Sequence, residues 1–290
     1  MPSKLFSYII LFCAVFFLSS SAIFVKLADA PSGITAFYRL GIAALALLPA
    51  VLHNPESRGQ LLQLRGRRLI LGVLSGFVLA LHYVMWFESL KYTSVASSIV
   101  LVTMQPLFAI IGGWFIFRER YGWQALSGCL LAIAGSVIIG WGDLNISWDA
   151  FLGDLMALAA AAVIAAYFLI GQEVRGSMGA MPYSLLGYGS GAAFLALYSM
   201  WRGEPFTGYS DFTWMNFAGL ALVSTILGQL VFNWLLKWLP AAVISMSILG
   251  ETVGTCILSY FILGEGTTMQ QLAGIACILS GIGIFLRSRG

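Results

Sequence analysis

Apolar and polar positions alternate along this chain on a long scale: ten apolar runs of about membrane-spanning length, roughly twenty residues each, are separated by short polar connections. The runs lie at 6–26, 32–52, 69–89, 95–117, 123–141, 151–172, 183–201, 213–235, 240–263 and 270–287. They predict ten helices. The first run imitates a signal peptide, with Lys4 ahead of it and Ser20 and Ala22 as small residues. Its apolar stretch exceeds the usual signal core of about 7–15 residues, so it is expected to stay as the first helix.

A second regularity sits above the first. Leu90, Lys91, Glu119, Gln124, Leu126, Gly128 and Gly135 recur as Leu236, Lys237, Glu265, Gln270, Leu272, Gly274 and Gly281, all at the single offset of 146. Seven identities in one ungapped register predict two copies of one five-helix unit, over 1–142 and 150–290.

Composition places both copies in a membrane. Hydrophobic residues make up 60% of the chain and charged residues 9%, against about 25% charged in a soluble domain. The net charge of +3 is too small and too dispersed for a nucleic-acid surface. Cys13, Cys129, Cys256 and Cys277 all fall within apolar runs and read as ordinary buried thiols. No cofactor or metal is expected.

The placement of positive charge orients the helices. With the N-terminus inside, the inner segments carry Lys4, Arg58, Arg65, Arg67, Arg68, Arg118, Arg120, Arg175, Lys237, Arg287 and Arg289, while the outer loops carry Lys26, Lys91 and Arg202. Eleven against three puts both termini in the cytoplasm. The outer side collects acids, Asp143 and Glu265 among them. An odd number of helices per copy then inserts the second copy upside down, and inverted repeats are how many secondary transporters expose one midplane site to either side of the bilayer in turn.

The repeated stretch also carries a family resemblance. Met104-Gln105-Pro106-Leu107-Phe108 running into Trp114 to Arg120, and Gly250-Glu251-Thr252-Val253 running into Tyr260 to Glu265, resemble the paired signatures of the EamA-type branch of the drug/metabolite transporter superfamily. Phe37-Tyr38-Arg39-Leu40 and the alanine-rich stretch after it are similar to that family's second helix. One departure is Thr252, where the family usually has a proline after the glutamate, which leaves a break in that helix without its proline. The resemblance implies an all-α integral membrane fold of ten helices in two inverted repeats. It also implies a proton-coupled or facilitative carrier of small metabolites, with the exporters of aromatic and other neutral amino acids as its nearest analogy.

Candidate site residues follow from polar groups within apolar runs, which are costly there and usually face a cavity or a partner. On the third run Ser75, Leu79, His82, Trp86 and Ser89 share a face. His82 is placed to bind substrate or take up a proton, or else to be a satisfied interior histidine; Trp86 supplies an aromatic wall. On the eighth run Thr225, Gln229 and Asn233 form a polar stripe, and Gln229 is the repeat mate of Tyr83. Such amides either touch substrate or join helices as structural glue. On the fourth run Ser98 and Gln105 share an inner face, and Pro106 is expected to bend the helix. Gln105 is the mate of Glu251, which lies in mid-helix between Ser247 and Thr255. Glu251 either pairs with Arg39 or titrates and couples protons to transport. Five tryptophans, Trp123, Trp141, Trp148, Trp201 and Trp214, fit an interfacial belt.

An enzyme is disfavoured, since no metal-spaced cluster, phosphate loop or nucleophile elbow occurs. A channel is disfavoured because no ring of charges or filter-like loop occurs. The sequence therefore predicts an alternating-access exporter of neutral or zwitterionic metabolites in a bacterial cytoplasmic membrane, amino acids first and drugs or nucleobases second. Its expected partners are that solute, the lipid bilayer and in one reading a proton, and it is expected to be a monomer or homodimer.

Overall fold

The computed structural model describes residues 4–93, 95–140, 148–263 and 268–288, and among them the regular structure is all helical. Trp141, Asp143, Gly264, Glu265 and Arg289, named above, lie outside the described residues. In chain order the helices are α1 (Lys4–Leu27), α2 (Ser32–His53), α3 (Pro55–Leu62), α4 (Arg67–Tyr92), α5 (Val95–Val102), α6 (Gln105–Phe117) and α7 (Trp123–Gly140). They continue as α8 (Trp148–Arg175), α9 (Ala180–Arg202), α10 (Asp211–Gly219), α11 (Leu230–Leu235), α12 (Ala241–Ile248), α13 (Gly250–Leu258) and α14 (Met269–Arg287). Two stretches wind as π-helix: Leu220–Gln229 between α10 and α11, and Ser259–Leu263 after α13.

Among the described residues, helix covers most of each of the ten apolar runs. Eight of the helical stretches are long and apolar enough to cross a membrane, and Trp123–Ile139 is a shorter apolar one. The tenth, α9, has 23 residues and is diluted by Gly187, Gly189, Ser190 and Gly191. Local chemistry sets the ends. Asn54 caps α3 with Pro55 at its first turn, Ser210 caps α10, and Thr268 with Gln271 makes a capping box on α14. Trp123, Trp148 and Trp201 stand exposed at helix ends, as an interfacial belt requires.

The chain packs as two compact units, Met1–Tyr83 with Ile170–Leu239 and Val84–Leu169 with Pro240–Gly290. Each unit draws helices from both halves of the sequence. In the second unit α7 and α14 cross at glycines. A Cβ on Gly128 would lie 2.7 Å from the Gly281 carbonyl oxygen, and one on Gly135 would lie 2.6 Å from that of Gly274. Moving forward along α7 thus moves backward along α14, so the two are antiparallel. Because Gly128 and Gly274, and Gly135 and Gly281, are repeat mates, exchanging mates maps the crossing onto itself. That is a local two-fold axis perpendicular to the helices, and it means the second copy of the repeat runs upside down.

The first unit repeats the relation. Gly33 of α2 meets Ser199 of α9, and Gly41 meets Ala192, so these mates are also antiparallel. α1 runs antiparallel to the π-helical stretch, with Phe24 on Gly219 and Leu18 on Gly228. α4 runs parallel to α9, with Gly72 on Leu186 and Gly76 on Ser190. Small residues at these crossings let backbones approach where lipid supplies no hydrophobic drive between helices.

Candidate functional site

In the first unit the polar side chains gather around Arg39. Its side chain is 4% exposed, and its Nε donates to Thr225 Oγ1 (3.0 Å) while Nη1 donates to Ser21 Oγ (2.8 Å). The guanidinium carbon stands 5.1 Å from the centre of the Tyr83 ring, a cation–π distance. Those partners are all neutral. His82 is buried beside Tyr83, with ring centroids 5.4 Å apart.

Thr225, which accepts from Arg39, lies in the π-helical stretch. Its hydroxyl donates to the carbonyl of Leu220, five residues back, at 2.9 Å, matching the five-residue hydrogen-bond period of the π-helix. Gln229 ends this stretch on the same face. It is 5% exposed, and its Nε2 has no hydrogen-bond partner among the described residues.

Asn233 leads elsewhere. Its Nδ2 donates to Ser184 Oγ (2.9 Å) and Tyr188 Oη (3.4 Å), and its carbonyl accepts from Arg175 Nε (2.8 Å). Arg175 is buried and also donates through Nη1 to the carbonyl of Met178. The expected Thr225–Gln229–Asn233 stripe is therefore functionally divided: the first member holds Arg39, while the last ties α11 to α9 and to the end of α8.

The second unit holds the other candidates. Ser98 is fully buried, 2.7 Å from Ser89 Oγ, and Ser89 donates to the carbonyl of Trp86 (2.6 Å). This hydroxyl chain fastens α5 to α4. Trp86 is half-buried and stacks on Phe87 at 5.1 Å. Asp154 of α8 accepts from both Thr93 and Ser97, each at 2.6 Å through the same carboxylate oxygen. Glu88, by contrast, pairs with Lys91 at 2.6 Å.

The helix is interrupted next to Pro106. α5 ends at Val102 and α6 begins at Gln105, bridged by three-residue bonds from Met104 to Leu101 and from Leu107 to Met104. Proline has no amide to give the Val102 carbonyl.

The same interruption occurs at the mate position without a proline. α12 ends at Ile248, α13 begins at Gly250, and the Thr252 amide reaches back only three residues, to Leu249 (3.3 Å). Gln105 donates across to Ser245 Oγ at 2.9 Å. Glu251, its mate, sits half-buried in the first turn of α13. Ser247, expected beside Glu251, is turned back onto the Val243 carbonyl (2.9 Å).

Arg39, Tyr83 and His82 are thus neighbours, whereas Ser98, Gln105 and Asn233 are each engaged in separate helix-to-helix bonds. Arg39 and Glu251 belong to different units. Sequence reasoning passed over Ser21, Ser245, Tyr188, Arg175 and Asp154. Only Asp154 and Arg175 carried a signal, as charges at the two ends of one apolar run.

The comparisons agree with this architecture. An "Uncharacterized transporter YxxF" of Bacillus subtilis (strain 168) is 24% identical over 216 residues, covering 74% of this chain and 68% of the relative. An "Adenosine 3'-phospho 5'-phosphosulfate transporter 2" of Caenorhabditis briggsae is 25% identical over 213 residues, covering 69% of this chain and 58% of that protein. A solved crystal structure superimposes with a TM-score of 0.81 over 99% of both chains at 19% identity, a likeness of fold. The model of one family matches twice in succession, at residues 5–141 and 151–287. With its two inverted copies of one helical unit, the chain belongs to the EamA-like transporter family.

Proposed function

We propose that this transporter is an alternating-access carrier that exports small neutral or zwitterionic metabolites, aromatic and other neutral amino acids first. The observation that carries the reading is the inventory of buried polar groups. Among the described residues the buried charged side chains are Arg39 and Arg175; the other buried polar groups are hydroxyls, amides and His82. Arg175 is spent on backbone carbonyls. That inventory suits a solute bearing at most one net charge beside an apolar or aromatic side chain. A phosphosulfate nucleotide of the kind named for the Caenorhabditis relative would call for several cations. An antiparallel relation between repeat mates inside each unit supports exchange between inward-open and outward-open forms.

The placement of both termini on the cytoplasmic side of a bacterial inner membrane follows the distribution of positive charge, and a monomer or homodimer is the assembly proposed. His82 and Glu251 are the groups proposed to take a coupling proton. Uptake into proteoliposomes of labelled amino acids, purines and lipophilic cations, with and without an imposed proton gradient, tests the whole reading. Neutral amino acids are expected to move or compete, and the gradient response is expected to shrink in His82→Ala or Glu251→Gln. Movement of purines or lipophilic cations alone would replace the amino-acid reading with the nucleobase or drug one.

A further inference from the structure

We infer that Arg39 and the side-chain amide of Gln229 form a binding subsite for a single carboxylate in the first unit. The inference rests on the carrier reading above and names the part of the solute this site takes. Arg39 is buried, and among the described residues its hydrogen bonds go to the Thr225 and Ser21 hydroxyls, with the Tyr83 ring beside the guanidinium. None of the first unit's described carboxylates bonds it. A guanidinium offers five N–H donors in a planar fork, and two are used among the described residues. A buried cation is expensive unless an anion compensates it.

Gln229 supplies an independent observation. Among the described residues its Nε2 is a buried donor without a hydrogen-bond partner, and a buried donor left unsatisfied is similarly costly. One helical turn separates Gln229 from Thr225, the residue that holds Arg39. Two under-used donors, one of them charged, call for a ligand that brings acceptors and one negative charge. A carboxylate has two oxygens and accepts in this forked manner. A phosphate or sulfate would leave charge unbalanced here.

The position of this cluster within a duplicated fold points the same way. What the fold needs, it has twice: crossing glycines, helix interruptions and antiparallel mates. What surrounds Arg39, it has once. At the offset of 146 the mate of Arg39 is Leu185, the mate of Thr225 is Leu79, and the mate of Gln229 is Tyr83. The π-helical stretch 220–229 corresponds to 74–83, which is ordinary α-helix within α4. A ten-residue π segment is an unusual winding, found frequently at functional sites. Thr225, which accepts from Arg39, lies within it.

The test is competition against labelled L-phenylalanine in proteoliposomes by three unlabelled compounds: L-phenylalanine, its amide, and 3-phenylpropanoate, which keeps the carboxylate and lacks the amine. The wild type should prefer both carboxylates to the amide by about tenfold or more, since a site built around hydrogen bonds rejects an analogue that cannot make them. Gln229→Leu should shrink that ratio several-fold. Gln229→Glu should reverse it, by setting a carboxylate against a carboxylate. Arg39→Lys keeps the charge and loses the fork, so it should weaken the acids while sparing the amide. Monodispersity in detergent confirms that each variant folds.

Equal competition by acid and amide in the wild type, or a ratio unmoved by Gln229→Leu and Gln229→Glu, would overturn the inference. So would rescue of a misfolded Arg39→Gln by Glu251→Gln, which would assign the guanidinium to a structural ion pair. If label accumulates poorly but 3-phenylpropanoate itself is carried, the carboxylate subsite stands and the amino-acid reading falls. If phenylalanine moves with no preference for its carboxylate, the reverse holds.

Discussion

Replacing Gly128 by alanine tests the crossing that relates the two halves of the second unit. The added Cβ would lie 2.7 Å from the Gly281 carbonyl oxygen and 2.7 Å from the Phe285 nitrogen. Comfortable contact lies near 3.5 Å, so α7 and α14 must separate by roughly 0.8 Å, and the atoms in the way are backbone, which cannot swing aside. Overpacking of this kind costs about 1–3 kcal/mol, partly offset by the up to about 1 kcal/mol that alanine gains over glycine in a helix.

The internal control is Gly283→Ala on α14. A Cβ there meets nothing within 4 Å, so only the favourable helix term remains and the variant should melt slightly above wild type. The helix term is common to both variants, so the gap between them is the overpacking cost, about 1–3 kcal/mol, which corresponds to roughly 2–10 °C in detergent-purified protein. Gly281→Ala pushes the same two helices apart, with contacts of 2.5 Å to the Gly128 oxygen and 2.6 Å to the Ala132 nitrogen. Once one alanine has opened the crossing the other is partly accommodated, so the double variant should lose less than the sum of the singles. Equal melting of Gly128→Ala and Gly283→Ala, or strict additivity in the double, would refute this account of the crossing.

Three further outcomes follow from local geometry, each read by the same melting measurement. Thr252→Pro should be tolerated within about 1 kcal/mol, because the Thr252 amide makes only a long three-residue bond and its mate is already Pro106. Cys256→Pro, in the body of α13, should cost about 3 kcal/mol or more. Asp154→Ala should cost about 2–3 kcal/mol by stranding the Thr93 and Ser97 hydroxyls that share its oxygen, with Asp154→Asn recovering part of the loss through its remaining carbonyl. Arg175→Met fills the volume but leaves the carbonyls of Asn233 and Met178 without their buried donor, for a loss of about 2–4 kcal/mol.

The helices were legible because their signal is local. A run such as 32–52 or 270–287 announces itself by length and hydropathy alone, and α2 and α14 match these runs within a residue. The repeat register was legible for the same reason, and it put Gly128 opposite Gly281 once antiparallel pairing was granted. The surroundings of Arg39 were not legible. Ser21 lies 18 positions before it and Thr225 lies 186 after, and no spacing rule links residues so far apart. The π-helical stretch was hidden too: a four-residue stripe reads the same whether the helix winds tightly or widely, so Thr225, Gln229 and Asn233 looked equivalent when they have different partners. Thr252 misled in the opposite sense. The lack of a proline left a break there without a visible cause, yet the break occurs at Leu249, which shows that the template imposes it and Pro106 merely accommodates it.

The recurrence of this interruption bears on where function lies in a duplicated transporter. Features imposed by the template recur at the constant offset whatever residues occupy them, as the two helix interruptions do with Pro106 on one side and Thr252 on the other. They report on folding and on the motion the two copies allow. A buried charge, a widened helix and an unmade hydrogen bond at a side-chain amide are each unfavourable, and a structure that needed them for folding would need them in both copies. Arg39, the stretch Leu220–Gln229 and the Gln229 amide each lack a counterpart at the repeat offset; Arg39 bonds Thr225 within that stretch, and Gln229 lies one turn further on. Stability alone does not account for three unfavourable features in one place, whereas a solute that brings two acceptor oxygens and one charge would relieve the charge and the unmade bond together.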